Sequence, residues 1–503
     1  MIKKVLVANR GEIAMRIFRT CRVMNLPTVA IYTHADRGAL HVRYAEEAYC
    51  ISKDESDTSY LKPEIILDIA KKTGAAIHPG YGFLSENAGF ARRCEEEKVI
   101  FIGPSSEVIS KMGIKTEARK IMEEAGVPIV PGTKDPISGL EEARTKAKEI
   151  GYPIMLKASA GGGGKGMRLV RKEEDLDAAF RMSSSEAANS FGNDSIYIEK
   201  YIENPHHIEV QVLGDKYGNV IHLYDRECSI QRRNQKVIEE APSPFMKDEA
   251  RNKMLAIAVA ACKKIGYYSA GTLEFMMDKN QNFYFLEMNT RLQVEHPVTE
   301  ACTGVDLVRD MILVAAGTPL PYKQEDVEFR GAAIECRICA EDPENNFMPS
   351  PGIIRGREVP EGRNVRLDSC AYAGFEISLH YDPMFAKLCS WGRNRESAIS
   401  NMKRALREYK IMGIKTTIPF HQRVLQNNTF LKGNYDTTFI DTKFDKEELK
   451  RRQSSDPTVA VIAAALKHFE QEKEAAARAT TVPLVGESLW KHYGKLQMSA
   501  NNF

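Results

Sequence analysis

Short apolar runs alternate with segments of helical period at the start of the chain. Residues 5–8, 28–32, 75–78 and 99–103 read as strands, and the amphipathic stretches between them read as helices. Strands separated by helices predict a Rossmann-like parallel sheet covered by helices, an α/β domain over 1–113. The first strand runs into Asn9-Arg10-Gly11-Glu12, which puts a turn and a helix start at a strand's carboxyl end, where such folds place ligands. That turn has one glycine rather than GxGxxG, so a dinucleotide site is rejected there, although Asp36 follows the second strand.

A second region, 114–320, carries the densest chemical signals and closes at Thr318, Pro319 and Pro321. A third, 329–445, opens on a strand-like stretch at 332–338 and continues through short strands with turns such as Pro351-Gly352, which predicts a mixed α+β domain. The remainder, 446–503, predicts a helical extension, with Asp456 as N-cap and Pro457 at the first helical position. Val459, Ile462, Leu466 and Phe469 recur at 3-4-3 spacing along it, an apolar stripe expected to dock on its own chain in preference to a partner protein.

Composition narrows the classes. At 43% hydrophobic and 27% charged the chain is globular, and its 503 residues suffice for about three domains. Its net charge of +2 gives no electrostatic case for a nucleic-acid or membrane-surface partner. The longest apolar runs, at 254–262 and 459–466, fall well short of the ~20 residues that span a bilayer, and no signal-peptide core follows Lys3 and Lys4. A cytoplasmic location is expected. The ten cysteines are irregularly placed, as reduced core thiols are, and the one CxxC pair, Cys336 and Cys339, lacks the companions of a zinc site.

Candidate chemistry sits mainly in the second region. Four glycines, Gly161 to Gly164, followed by Lys165 follow an apolar run ending at Lys157, and they can bring backbone N–H groups and a cation against a polyphosphate without being a P-loop. The segment Lys200-Tyr201-Ile202 after a strand at 195–199 is suited to lining an adenine pocket. Two β-rich runs, 271–275 and 283–286, are separated by Asp278-Lys279-Asn280-Gln281-Asn282 and predict a hairpin that brings Glu274 close to Glu287 and Asn289. Two carboxylates and an amide oxygen are hard ligands for Mg²⁺. Directly downstream, Arg291 to Glu300 offers a cation for a small anion and a carboxylate to take its proton. Gln231 to Lys236 is a basic cluster, and Arg337 in an apolar strand needs an anionic partner.

Together these segments resemble the biotin carboxylase subunit of biotin-dependent carboxylases, an ATP-grasp enzyme, over about residues 1–446. The markers are VANRGEIA at 7–14, HPGYGFLSEN at 78–87, the GGGGKGM loop, QRRNQK at 231–236, EMNTRLQVEHPVTE at 287–300 and ECRICAED at 335–342. The resemblance implies a central ATP-grasp domain with a mobile glycine-rich lid at about 130–202. It implies that Lys115, Lys157, Gly162, Gly163, Gly164 and Lys165 hold ATP phosphates, with Glu199 and Lys200 near the adenine and His207 and Gln231 near the ribose. Glu274, Glu287 and Asn289 would serve Mg²⁺ or Mn²⁺. Lys236, Arg291, Gln293 and Val294 would hold bicarbonate, with Glu295 as general base, Arg337 stabilising the biotin enolate and Tyr81 beside the biotin. The implied activity is a ligase that carboxylates biotin with ATP and bicarbonate. The biotin carrier protein and the carboxyltransferase are expected as separate chains, because neither Met246-Lys247 nor Met402-Lys403 has the setting of a biotinylation site, and a homodimer is implied. One departure is Asn234, where many family members have His. The competing readings are another ATP-grasp ligase, which does not explain Arg291 to Glu295 together with Arg337, and a nucleotide-binding scaffold with an inactive site, against which the intact acidic and basic set argues.

Overall fold

Val5 to Val7 form β1, the apolar centre of the first sheet. With β2 (Thr28–Tyr32), β3 (Glu47–Cys50) and β4 (Ala76–His78) it makes a four-stranded parallel sheet in the order β3-β2-β1-β4, flanked by the helices Gly11–Val23 and Pro63–Thr73. The computed structural model describes residues 2–133, 135–137, 139–158, 167–191, 195–445 and 457–479. These belong to two compact units, 1–445 and 446–503.

The expected strand at 99–103 is reduced to one parallel bridge, Phe101 to Ile77, held by Ile77 N–H to Ile100 O and Ile102 N–H to Ile77 O. Pro104 has no N–H to extend the ladder, which ends the pairing. The polar strand β3 escaped the apolar pattern. The turn at Asn9 is tied to the 78–82 loop, since Asn9 Nδ2 donates to the carbonyls of Pro79 and Tyr81 at 2.8 Å. Gly80 is required there: its φ is +65°, and a Cβ would stand 2.9 Å from Asn9 Nδ2. Asp36 is engaged by Arg10 (2.7 Å) and by the Tyr60 hydroxyl (2.6 Å), a structural ion pair.

A small antiparallel sheet, order β6-β5-β7, is built from β5 (Ile154–Ala158), β6 (Met167–Val170) and β7 (Ile196–Lys200). Ile154, Leu156, Val170, Ile196 and Ile198 pack with Ala143, Ala147 and Leu176 from the adjoining helices to give it a core of its own.

The largest sheet has eight strands. It runs β12 (Phe283–Asn289), β11 (Ser269–Met277), β8 (His206–Gly214), β9 (Val220–Arg232), β10 (Gln235–Ala241), β13 (Ala332–Cys339), then Met384–Gly392 and Val365–Ser369. It therefore continues from the second sequence region into the third through β10 and β13, which pair antiparallel. The expected hairpin joins β11 and β12.

In the second unit the helix runs Pro457–Ala479, starting at the expected proline; Asp456 lies outside the described residues. Ile462, Leu466 and Phe469 are each more than half exposed on it, at 53%, 60% and 65%. All ten cysteines are free, and Cys336 and Cys339 belong to no metal-ligating cluster among the described residues.

Candidate active site

One row of side chains crosses four strands in register. Arg226 on β9 stands opposite Glu209 on β8, Glu209 opposite Glu274 on β11, and Glu274 opposite Glu287 on β12. Residues two apart share a strand face, so His207 flanks Glu209 and Asn289 flanks Glu287. Three carboxylates in a row repel one another, and the row exists because cations answer it.

Lys236 supplies the main answer. Its Nζ lies 2.8 Å from Glu274 and 2.9 Å from Glu295, and it also contacts Glu209. The fully buried Arg226 donates to Glu209 at 3.0 Å, Gln211 at 2.7 Å and Gln293 at 2.5 Å. His207 Nε2 is 2.8 Å from Glu274. Burial pushes the Glu274 carboxyl up, but Lys236 and His207 more than offset that and hold it well below the usual carboxylate range. Burial works against charge on His207 too, yet Glu274 and Glu209 raise it to about 9.

The segment after β12 wraps back onto this row. Arg291 donates from Nε to Glu86 and from Nη2 to Asn289 Oδ1, both at 2.7 Å. Asn289 Nδ2 and Gln293 Nε2 each donate to Glu274 Oε1 at 2.7 Å, and the Val294 carbonyl accepts from Lys387 at 2.7 Å. Glu295 is the N-cap of the helix His296–Thr303, where the helix dipole favours an anion. Arg337 bridges Glu239 (Nε, 2.6 Å) and Glu295 (Nη2, 3.0 Å). Burial raises the Glu295 carboxyl and Glu209 adds to that, but Lys236 first and Arg337 after it bring it below its ordinary value.

The donor set fits a divalent cation. Burial first, and then the charge of Glu274 across the ladder, push the Glu287 carboxyl up, a like-charge pair that a cation relieves. His207, Glu209 and Glu274 also bring ligand atoms within 4.8 Å of one another, but a protonated His207 donates rather than ligates, so that group reads as an ion-pair cluster.

The other sequence-predicted residues sit around this centre. Lys115 begins the helix Lys115–Glu124 and is largely exposed, 3.7 Å from Glu287. Lys157 Nζ is held 2.5 Å from Glu199, which Arg119 also contacts. Lys200 Nζ donates to the carbonyls of Gly151 (2.8 Å) and Tyr152 (2.9 Å), and Gln231 Nε2 to the Cys228 carbonyl (2.9 Å). The Tyr81 hydroxyl donates to Glu12, with Lys387 Nζ 5.9 Å from its ring. Gly162, Gly163, Gly164 and Lys165 lie outside the described residues. Asn234 occupies the two-residue turn between β9 and β10, where Arg233 and Asn234 both have positive φ (51° and 62°), a backbone that favours Asn. Sequence reasoning missed Glu209, Arg226 and Glu239. Their signal was a charged residue inside an apolar strand, the same signal that singled out Arg337.

Three family profiles match the chain: "Biotin carboxylase, N-terminal domain" over 1–109, "Carbamoyl-phosphate synthase L chain, ATP binding domain" over 115–323, and "Biotin carboxylase C-terminal domain" over 335–442. Biotin carboxylase 1 of Bacillus subtilis is 56% identical over 444 residues, covering 88% of this chain and 99% of the relative. A pyruvate carboxylase subunit from Methanothermobacter thermautotrophicus is 51% identical over 483 residues, covering 93% and 98%. The crystal structure of the Hydrogenobacter thermophilus 2-oxoglutarate carboxylase biotin carboxylase domain dimer, in complex with MgADP, ADP and bicarbonate, superposes with a TM-score of 0.80 at 52% identity, covering 88% of this chain and 97% of that one. A large mixed fold built on a parallel sheet and a long antiparallel sheet, a buried carboxylate row and these likenesses agree: the chain belongs to the biotin carboxylase family.

Proposed function

We propose that this chain carboxylates biotin, borne on a carrier protein, with ATP and bicarbonate, as the first half-reaction of an acyl-CoA or pyruvate-type carboxylase. The observation that carries the reading is the position of Lys236, one buried ammonium shared by Glu274 of the cation-binding pair and Glu295 of the helix start. It joins a phosphate-handling site to an anion site that has its own base.

In this reading Glu274, Glu287 and Asn289 hold Mg²⁺, which when bound neutralises phosphate charge. Lys115, Lys157 and the glycine loop with Lys165 hold the ATP phosphates, Glu199 and Lys200 border the adenine, and His207 and Gln231 border the ribose. Lys236, Arg291, Gln293 and the Val294 backbone hold bicarbonate. As that anion draws Lys236 to itself, Glu295 loses the cation that most depresses its proton affinity and becomes able to take the bicarbonate proton. The bicarbonate oxygen attacks the γ-phosphorus, and ADP leaves with the bridging oxygen, giving carboxyphosphate. Carboxyphosphate breaks into CO₂ and phosphate; the phosphate takes the N1′ proton of biotin, and the resulting enolate, held by Arg337 with Tyr81 beside the ring, captures CO₂.

The segments 1–113, 114–320 with its lid at about 130–202, 329–445 and 446–503 act in this scheme as a Rossmann-like domain, an ATP-grasp domain, a closing α+β domain and a helical extension. The relatives named as subunits of pyruvate and 2-oxoglutarate carboxylases support a carrier and a carboxyltransferase on other chains, and the dimeric relative supports a homodimer. The need for ATP and the ten free cysteines support a cytoplasmic setting. Among the described residues no helix is long and apolar enough to cross a membrane.

Bicarbonate labelled with ¹⁸O tests the chemistry, because attack through a bicarbonate oxygen must leave one label in the released phosphate. Unlabelled phosphate from bicarbonate-dependent turnover would contradict the carboxyphosphate route.

A further inference from the structure

Behind Arg337 lies a second carboxylate pair that the reaction scheme does not use. Glu239 on β10 stands directly opposite Glu335 on β13, and both are fully buried. Opposed side chains in an antiparallel pair have Cβ atoms about 5 Å apart. Glu239 Oε1 accepts from Arg337 Nε at 2.6 Å, its Oε2 has no hydrogen-bond partner, and neither oxygen of Glu335 has one.

The neighbouring groups account for this. Arg337, two residues along the same strand face, spends Nε on Glu239 and Nη2 on Glu295. Lys387, opposite Arg337, donates to the Val294 carbonyl and lies 3.4 Å from Glu12. Cys389 stands opposite Glu335 and offers no charge. The helix His296–Thr303 packs on β10 and β13 and sets Val298 and Cys302 against Cys389; its titratable groups are engaged elsewhere, His296 Nδ1 with the Gln293 carbonyl, Glu300 with Arg16 and Arg366, and the Cys302 thiol with the Ala241 carbonyl. The helix Arg395–Glu408 packs on the other face, where the Ala398 carbonyl accepts from Ser390, the residue opposite Ile334. Three cations act on the pair, Lys387 and Arg337 on Glu335 and Arg337 and Lys236 on Glu239, but Lys387 spends its donor on Val294 and Lys236 its donors on Glu209, Glu274 and Glu295. Two adjacent buried carboxylates so served do not both stay ionised, and an ionised carboxylate with no donor is the costlier one to keep.

We propose that Glu239 and Glu335 hold a single proton between them, resting on Glu335, and that ionised Glu239 is the positioning residue that pins Arg337 by Nε and leaves its Nη edge for the substrate anion. The second half rests on the biotin carboxylase reading above. Burial pushes both carboxyls up, Glu239 against the pull of Arg337 and Glu335 well above its ordinary value despite Lys387 and Arg337, with Glu239 and Glu295 adding to the rise of Glu335. Loss of the proton from Glu335 at alkaline pH places a further carboxylate beside Arg337, draws the guanidinium off the biotin enolate and lowers turnover.

Infrared difference spectroscopy of the full-length protein, with Glu335→Gln as reference, reads the proton directly. The expected result is a protonated-carboxyl carbonyl band at neutral pH that shifts in D₂O and is missing from Glu335→Gln, together with an alkaline fall in kcat that this variant lacks. Glu239→Gln should lower kcat by at least ~10-fold while leaving KM for ATP within about twofold, as a misaimed arginine would. No band, a band that persists in Glu335→Gln, or a kcat profile in that variant that superimposes on the parent would overturn the shared proton. Should Glu335→Gln not fold, Glu335→Asp serves as the reference, since it keeps a carboxyl there and shifts the band only if Glu335 carries the proton. The band needs no turnover, so its absence sinks the pair whatever the activity, whereas a band in a protein that forms no carboxybiotin sinks only the functional reading.

Discussion

Lys236 Nζ stands 2.9 Å from Glu295 Oε1, and the same ammonium reaches Glu274 at 2.8 Å. Glu295 is thus an ionised base kept weak until something else claims its cation. The expected consequence of Glu295→Gln is a loss of ~10²-fold or more in turnover, the size of a general-base contribution, with ATP binding retained. Steady-state kinetics beside nucleotide titration separates the two; near-parent turnover would remove Glu295 from the role.

Arg337 bridges two buried carboxylates, Glu239 and Glu295, at 2.6 and 3.0 Å. Arg337→Ala should cost ~10²-fold or more in carboxybiotin formation. It also leaves Glu239 buried without its cation, so the urea midpoint should fall as well. Carboxybiotin should drop more than bicarbonate-dependent ADP release, and an equal loss of both would place Arg337 in the first step instead.

Asp36 shows how a suggestive sequence position resolves into structure. Burial raises its carboxyl, but the Arg10 guanidinium, which also stacks on Tyr381 at 3.9 Å, brings it below its ordinary value of 3.8. A depressed carboxylate contributes stability that is present above the unfolded pKa and lost as pH falls through the folded one. Asp36→Asn should therefore destabilise by about 3 kcal/mol at neutral pH and flatten the decline in stability below about pH 4. Chemical denaturation across the acid range measures both.

Asn234 predicts a local effect. At a φ of 62° a β-branched side chain is strained, so Asn234→Val should cost about 1–2 kcal/mol, and Asn234→Gly should be close to neutral. Thermal unfolding checks each.

The parts legible in the sequence were those with short-range causes. The hairpin that opposes Glu274 and Glu287 followed from two β-rich runs and a five-residue polar break, and the parallel sheet followed from strand and helix periods. The strand expected at 99–103 shrank to one bridge because a proline follows it. Glu209, Arg226 and Glu239 stayed hidden because their partners lie far away in sequence: Arg226 meets Gln293 across 67 residues and Glu239 meets Arg337 across 98. A charged residue in a strand says only that it needs a partner; sheet register decides which one.

The most direct measurement is ATP turnover by the purified protein with Mg²⁺ and free biotin, with and without bicarbonate, following ADP and carboxybiotin together. The account predicts that both products form and that both require bicarbonate. ADP release that is indifferent to bicarbonate, or bicarbonate-dependent ADP with no carboxybiotin, would contradict it.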